Sequence, residues 1–281
     1  LAGRLIFPIF SPNGRVVAFA GRLLDPKEKG GKYINSPESS LYIKGRILYG
    51  LSFAKDDIRR LDKAIIVEGY MDLISLYQNG IKNVVAASGT ALTDDQVQLL
   101  SRYTKNVILL FDADTAGIKA SMRSIEILLR RDLDVKIVSL PKDEDPDSFV
   151  NKYGKEEFEE LTKKAENFLE YETKYYQSLG KFDDSTTAAE AIRELVKPIA
   201  LIQDELKRNL LLKNIAKKFN LREKLLENEL EKQLRQVKRF EKSETRILER
   251  NKSKDTSESL INTSVEISTV QYTLEKEILK L

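Results

Sequence analysis

The sequence predicts an α/β fold in which a parallel four-stranded sheet is flanked by helices and followed by an all-α region. Four short apolar strands alternate with helical segments, a pattern typical of right-handed βαβ units whose sheet is covered on both faces. After about residue 155 apolar residues recur only at helical spacing. Cys and His are both absent from the 281 residues, which excludes disulfides, thiol nucleophiles, histidine bases and ordinary zinc sites.

The N-terminal residues 1–61 are predicted as a small α+β segment with a basic surface. Two strands are predicted, at Arg4–Phe10 and Val16–Leu24, with a tight turn at Asn13-Gly14 between them. A loop-rich stretch over residues 25–50 and a short helix over residues 50–60 are predicted to follow. The first fifty residues hold eight Lys and Arg against three acidic residues. That excess suits a polyanionic partner, although by charge alone a solvated basic face is an equal alternative.

Residues 62–153 carry the predicted parallel sheet. The strands are expected at Ala64–Val67, Asn83–Ala87, Val107–Phe111 and Val135–Leu140. Helices are expected between them at residues 71–79, 93–103 and 115–130, with Gly80 ending the first and Thr93 capping the second.

The remainder of the chain is predicted to be helical and then irregular. Helices are expected at residues 155–178, 185–200, 203–219 and 221–250. Residues 251–268 are rich in Ser, Thr, Asn and Lys, as in linkers, and Val270–Leu281 is amphipathic. No apolar run approaches the roughly 18 residues of a membrane span, and the first ten residues do not form a signal peptide. We therefore expect a cytoplasmic protein.

Three carboxylates follow strands of the predicted sheet. Glu68 comes directly after the first strand, and Asp112 and Asp114 come directly after the third. Ligands of such sheets collect at the carboxyl ends of the strands, so neighbouring strands would bring these groups together. Hard oxygen ligands suit Mg²⁺ or Mn²⁺, and a cation would relieve the repulsion between them. The sequence therefore predicts a magnesium site for phosphoryl-transfer chemistry.

A simpler interpretation is that these acids stabilise helix N-termini. It is the better one for any single acid, but a weak one for three acids at adjacent strand ends. Asp145 and Asp147, in the acidic run after the fourth strand, are further candidate metal ligands or a helix cap with about equal weight. Asp72, close after Glu68, is a further candidate of the same kind.

The Glu and Asp-x-Asp arrangement on alternating strands and helices resembles the Toprim domain of primases, topoisomerases and some nucleases. The flanking segments resemble one branch, the bacterial replicative primases of the DnaG type, and run collinearly over about residues 4–153. These segments are Arg4-Leu5-Ile6-Phe7-Pro8-Ile9, Gly21-Arg22, Lys32-Tyr33-Ile34-Asn35-Ser36-Pro37-Glu38, Lys44-Gly45-Arg46, Leu48-Tyr49-Gly50, Glu68-Gly69-Tyr70-Met71-Asp72, Ser88-Gly89-Thr90 and Asp145-Pro146-Asp147.

The resemblance implies a catalytic core that synthesises short RNA primers on single-stranded DNA from ribonucleoside triphosphates, leaving an RNA–DNA hybrid. Glu68, Asp112 and Asp114 would be the catalytic and magnesium-binding residues, and Glu68 could instead assist deprotonation of the primer 3′-hydroxyl. Charge on the leaving pyrophosphate would be stabilised by Lys and Arg. The residues implied to contact nucleotide phosphates and template are Arg22, Lys32, Tyr33, Asn35 and Lys44, with Arg4 a weaker candidate.

The resemblance also implies a domain order: a partial N-terminal basic subdomain at 1–61, the Toprim domain at 62–153, a helical subdomain at 154–250, and a linker with the start of the helicase-binding region at 251–281. The zinc-binding domain of such primases is not expected here, because Cys and His are absent. Contact with a DnaB-type replicative helicase would lie in a C-terminal domain at most begun by Val270–Leu281. We expect a monomeric fragment without a membrane partner, and inefficient priming by the fragment alone.

Two other functions are compatible with parts of the sequence. A Toprim nuclease or topoisomerase fragment would use the same carboxylates, but the run Lys32–Glu38 favours a primase. A DNA-binding module without catalysis would use the acids only as helix caps.

Overall fold

The structure is a computed structural model that describes residues 3–25, 30–89, 91–112, 114–141, 144–239 and 242. The chain divides into two compact units, Leu1–Leu226 and Glu227–Leu281. In the second unit the described residues 227–239 are helical, as predicted. The predicted linker and amphipathic stretch, residues 251–281, and most of the predicted helix after 239 lie outside the described residues.

The N-terminal segment forms a three-stranded antiparallel sheet. Its strands are β1, β2 and β3 in that order across the sheet, at Arg4–Phe10, Val16–Leu23 and Tyr33–Asn35. The predicted hairpin is confirmed, but the prediction of a loop-rich stretch over residues 25–50 did not include β3. Three residues are too few to show alternation, and β3 exists because it pairs with β2, for example Tyr33 opposite Arg22. A 3-10 turn at Lys44–Arg46 and helix α1 at Leu51–Leu61 follow.

The central sheet contains the four predicted parallel strands. They are β4, β5, β6 and β7, at Ala64–Val67, Val84–Ala86, Asn106–Leu109 and Asp134–Ile137. The order across the sheet is β5-β4-β6-β7, with Ile65 opposite both Val84 and Ile108. Every residue of β4 and β5 is buried, as expected for strands covered on both faces.

The predicted four-stranded, wholly parallel sheet is wrong in one respect, because the sheet has five strands. The fifth, β8 at Glu166–Asn167, pairs antiparallel with β7. It also contradicts the prediction of no strand after residue 155 and interrupts the helix predicted over 155–178. Two residues carry no periodicity, so the sequence could not indicate a strand that depends on the free edge of β7.

The other helices agree with the predicted ones, except that the helix predicted from residue 155 begins at Pro146, because Asp145 caps it there. Helices α2 to α8 lie at Tyr70–Gln78, Asp94–Leu100, Thr115–Arg130, Pro146–Lys163, Phe168–Ser178, Ser185–Ile199 and Glu205–Lys218. Thr93 caps α3 as predicted, since its side chain accepts a hydrogen bond from the Gln96 backbone N–H. Helix α5 is kinked at Gly154, whose φ is 82°. Within the described residues, no helix has the length and apolarity needed to span a bilayer.

Candidate active-site cleft

A cleft of about 430 Å³ opens at the carboxyl ends of β4 and β6. These strands are parallel neighbours, so the condition for convergence of the predicted acids is met. Its acidic wall consists of lining residues from the central sheet and its helices, and its basic wall consists of lining residues from the N-terminal segment. The described lining residues are Arg22, Lys32, Tyr33, Asn35, Lys44, Glu68, Gly69, Tyr70, Met71, Asp72, Ser88, Gly89, Asp112, Asp145 and Asp147.

Glu68 and Asp112 are joined across the strand ends. The Glu68 Oε1 accepts a hydrogen bond of 3.2 Å from the Asp112 backbone N–H. Partial burial raises the pKa of Glu68, and the charges of Asp112 and Asp114 raise it further. Partial burial likewise raises the pKa of Asp112, together with the charges of Asp145 and Asp114. The carboxylates therefore sense one another, and a cation placed among them would reverse this unfavourable electrostatic field.

Asp72 is the most strongly perturbed acid of the cleft. Burial raises its pKa to about 6, and the charges of Asp112, Asp145 and Asp147 add to the effect. Its Oδ2 accepts a hydrogen bond of 2.9 Å from the Gly69 backbone N–H and so caps α2. One carboxylate oxygen is thus engaged in the helix cap while the side chain still lines the cleft.

Asp145 and Asp147 extend the acidic wall from the start of α5. Asp145 accepts a hydrogen bond of 2.7 Å from the Ser148 backbone N–H, which is a helix cap. Asp147 Oδ1 accepts hydrogen bonds from the Ser75 hydroxyl and, at 2.8 Å, from the Asn151 amide. The cap predicted as an alternative for this run is therefore present, and both side chains also line the cleft.

The basic wall is built on β2, β3 and the 3-10 turn. Arg22 lies in β2, its guanidinium 5.9 Å from the ring centre of Tyr33 on the paired strand. Lys44 is partly buried, which lowers its pKa, and Lys32 is exposed next to β3. Three cations therefore line the same cleft as the carboxylates.

Two sets of contacts fix the basic wall to the central sheet. Tyr70, the first residue of α2, stacks on Phe7 with ring centres 5.2 Å apart and donates its hydroxyl to Asn35 Oδ1 at 2.9 Å. The Thr93 hydroxyl donates to Gly45 O at 2.5 Å, which holds the 3-10 turn against α3. These contacts place β3 and the turn over the strand ends that carry the acids.

The cleft collects most of the residues predicted from the sequence, with two departures. The Arg4 guanidinium donates to the backbone carbonyls of Gly31 at 2.9 Å and Gly21 at 3.2 Å, and Arg4 is not among the described lining residues. Asp114 also does not line the cleft in the described part of the chain. It caps α4, because its Oδ1 accepts a hydrogen bond of 2.7 Å from the Gly117 N–H.

The donor set fits a hard divalent cation by its chemistry. Four of the five acids lining the cleft carry hydrogen bonds on one oxygen, and a carboxylate has a second oxygen to offer. Burial, and to a lesser extent the neighbouring carboxylates, raise the pKa values of Glu68, Asp72 and Asp112, and a cation among them would favour their ionised forms. In the described residues, however, no group of three or more acidic side chains is close enough to enclose a metal ion by itself. Phosphate oxygens and water would have to complete its coordination.

Sequence reasoning missed the positions of Tyr70 and Ser88 in the wall of the cleft. Tyr70 was visible only as part of a motif, and its aromatic partners lie more than twenty residues away in sequence. Ser88 is buried, with φ of 61°, and its backbone N–H donates to Glu68 O at 3.0 Å. A positive φ outside glycine, directly before Gly89, is the local signal of a constrained turn at a strand end.

Comparison with known proteins gives three collinear family matches. Residues 1–55 match the N-terminal domain of the DNA primase catalytic core, and residues 65–150 match the Toprim-like family. Residues 169–223 match the DnaB-helicase binding domain of primase. The last match falls in α6 to α8, within the predicted helical subdomain.

Individual relatives agree with these matches. A DNA primase of Clostridium acetobutylicum is 39% identical over 276 residues, covering 96% of this chain and 44% of the relative. The structure of a DNA primase domain from Pseudomonas aeruginosa is 32% identical with a TM-score of 0.72, covering 84% of this chain and 73% of that one. A DnaG primase catalytic domain bound to single-stranded DNA is 35% identical with a TM-score of 0.68, covering 76% and 70%. The chain spans less than half the length of the curated relatives it matches.

Proposed function

Because this chain belongs to the bacterial DnaG-type DNA primase family, we propose that it is the catalytic core of a primase. The reaction is template-directed nucleotidyl transfer, in which a primer 3′-hydroxyl attacks the α-phosphate of a ribonucleoside triphosphate and pyrophosphate leaves. The observation that carries this proposal is the single cleft with an acidic wall and a basic wall. A triphosphate and a template strand are polyanions, and a metal-binding acidic wall beside cations suits both.

We assign the acidic wall to metal binding and proton transfer. Glu68 and Asp112 would hold Mg²⁺ or Mn²⁺ together with phosphate oxygens and water. Asp114 would join them through the carboxylate oxygen that does not cap α4, and Asp72, Asp145 and Asp147 are further candidate ligands. Such a cation would supply positive charge to neutralise the phosphates and orient the triphosphate. Alternatively, Glu68 accepts the proton of the attacking 3′-hydroxyl, because burial raises its pKa and makes it a stronger base.

We assign the basic wall to the nucleotide and the template. Arg22, Lys32 and Lys44 contact phosphates, and their charge stabilises the leaving pyrophosphate. Tyr33 and Asn35 position the nucleotide from β3. For Arg4, its hydrogen bonds to backbone carbonyls favour a role in holding β2 and the following loop together.

The remaining parts of the chain extend the proposal to partners. We keep the domain order 1–61, 62–153, 154–250 and 251–281. The match at 169–223 supports a contact with a DnaB-type helicase made by α6 to α8, earlier in the chain than the position expected from the sequence. The similarity to a domain bound to single-stranded DNA supports that template, with an RNA–DNA hybrid as product. Action as a monomer in the cytoplasm completes the proposal.

Primer synthesis tests this function directly. Protein, a single-stranded DNA template, ribonucleoside triphosphates and Mg²⁺ should yield short RNA, and Asp112→Asn with Asp114→Asn should abolish it while leaving the circular dichroism spectrum intact. The exposed Asp56→Asn on α1 is the matched control and should retain activity. DNA nicking without RNA synthesis would favour a Toprim nuclease or topoisomerase. DNA binding with neither reaction would favour a non-catalytic module.

A further inference from the structure

A second pocket, of about 390 Å³, lies at the opposite end of the central sheet. Lys63 and Asn83 line it, and they directly precede β4 and β5, whereas the acids of the cleft follow the strands. The strand between the two ends rises about 3.3 Å per residue, so the two sites are more than about 10 Å apart. No residue lines both sites among those described.

The second pocket is strongly basic. Its charged lining residues are one acid, Glu159, and five bases, namely Arg60, Lys63, Lys82, Lys155 and Lys163. Three of the bases pair with nearby carboxylates, namely Asp57, Glu159 and Glu160, and ion pairs at the surface compensate charge only weakly. Lys63 and Lys82 form no ion pair within the described residues. The pocket therefore concentrates positive charge that the protein does not neutralise.

Lys82 is held in place. Its Nζ lies 3.6 Å from the ring centre of Tyr77 and donates to the Tyr77 backbone carbonyl at 2.7 Å. The Asn83 amide donates to Lys63 O at 2.8 Å, which ties the segment before β5 to the segment before β4. Ordering a long lysine side chain costs conformational entropy, and here much of that cost is met before any ligand arrives.

Part of the pocket lining is apolar. Ile65, Ile81 and Phe158 are each at most 5% exposed and form its floor. A volume of this size, with an apolar floor and a few convergent charges, is typical of a small-molecule site. A nucleic-acid strand bound only through its phosphates would not contact the apolar floor and would not need a concave site.

We propose that this pocket binds a phosphorylated small molecule of the nucleotide class, with two or more phosphates on Lys63 and Lys82 and the apolar part against Phe158. The site is independent of the carboxylate cleft and does not require that the chain synthesise primers. Phosphate contacts from the two lysines are charge-assisted, and losing one should weaken binding about tenfold or more.

The experiment combines lysine acetylation with mass spectrometry on the full chain. Inorganic tripolyphosphate in the presence of EDTA should protect Lys63 and Lys82 from acetylation, while exposed Lys213 and Lys217 on α8 stay reactive. ATP should protect at lower concentration than tripolyphosphate because it also covers the floor. Equal reactivity of Lys63 and Lys82 with and without both probes would overturn the proposal.

Lysine variants test the phosphate contacts, and an oligonucleotide tests whether the ligand is a small molecule or a nucleic-acid strand. In Lys63→Gln, protection of Lys82 should need about tenfold more ATP, whereas the matched Lys213→Gln should leave it unchanged. If Lys63→Gln fails to fold, protection of Lys63 is measured in Lys82→Gln instead, with the same expected shift. A thymidine oligonucleotide should protect neither lysine. Protection by the oligonucleotide with none by ATP would overturn the small-molecule assignment in favour of a nucleic-acid strand.

Discussion

Substituting alanine for Gly117 would place a methyl group where the protein has no room for it. An ideal Cβ at this position lies 2.2 Å from the Asp112 carbonyl oxygen and 3.0 Å from its carbonyl carbon. Side-chain carbons essentially never approach closer than 3.0 Å, so Asp112 or the start of α4 must move by at least 0.8 Å. The obstacle is backbone and not the end of a flexible side chain, so the strain cannot be relieved by a rotamer change.

The sign of the change in the free energy of unfolding distinguishes this clash from the effect of helix propensity. Alanine is favoured over glycine inside a helix by about 1 kcal/mol, so without the clash Gly117→Ala should stabilise the protein. With the clash we expect the free energy of unfolding to fall by about 1–3 kcal/mol. A displacement of nearly 1 Å at Asp112 should also lower primer synthesis by roughly 100-fold, because catalytic groups must be placed accurately.

The assays are denaturant unfolding and primer synthesis on single-stranded DNA. Gly45→Ala is the matched control, since its Cβ would meet its nearest neighbour at an ordinary 3.4 Å, and it should behave like the parent protein. A Gly117→Ala protein with unchanged stability and activity would refute both the tight approach of α4 to Asp112 and the importance of that approach.

Three further predictions concern burial, the aromatic contact and charge. Glu172 is 5% exposed and burial raises its pKa to about 8, so the stability contributed by its protonated form is complete below about pH 4.5 and is lost as the pH rises through 8. Relative to the parent protein, the free energy of unfolding of Glu172→Gln should rise by up to about 4 kcal/mol between pH 5 and pH 8. That of Glu190→Gln, at an exposed position, should not change relative to the parent. Tyr70→Phe removes the 2.9 Å hydrogen bond to Asn35 but keeps the ring contacts, so the KM for ribonucleoside triphosphates should rise up to about tenfold with little loss of stability. An unchanged KM would contradict the proposed role of Asn35. DNA affinity should fall steeply with salt, and Lys32→Gln should reduce the slope of log K against log salt by about one; a salt-independent affinity would contradict phosphate contacts by the basic wall.

Local patterns were enough to predict the elements that depend on their own residues. Apolar runs gave the four parallel strands, and the Thr93 cap gave the start of α3. The strands β3 and β8 depend on pairing partners instead, Arg22 opposite Tyr33 and Ile137 opposite Glu166. Strands of two or three residues have no periodicity, so no reading of the local sequence could have found them.

The site was predictable where residue type and position on the sheet decide it. Glu68 and Asp112 had to converge once β4 and β6 were neighbours, and the structure makes them so. The basic wall came from resemblance, because its placement over the acids depends on Tyr70 packing on Phe7 and bonding Asn35. Resemblance was a poorer guide at Arg4, which was implied to contact nucleotide phosphates or template, because its guanidinium donates to backbone carbonyls instead.

The central claim is that the acids at the ends of β4 and β6 hold a divalent cation together with nucleotide phosphates. Crystals soaked with Mn²⁺ and a ribonucleoside triphosphate, recorded at the manganese absorption edge, test it most directly. We expect an anomalous peak in the cleft bonded to Glu68, Asp112 or Asp114 and to phosphate oxygens of the nucleotide. A nucleotide bound in the cleft at saturating Mn²⁺ with no metal on these carboxylates would contradict the claim.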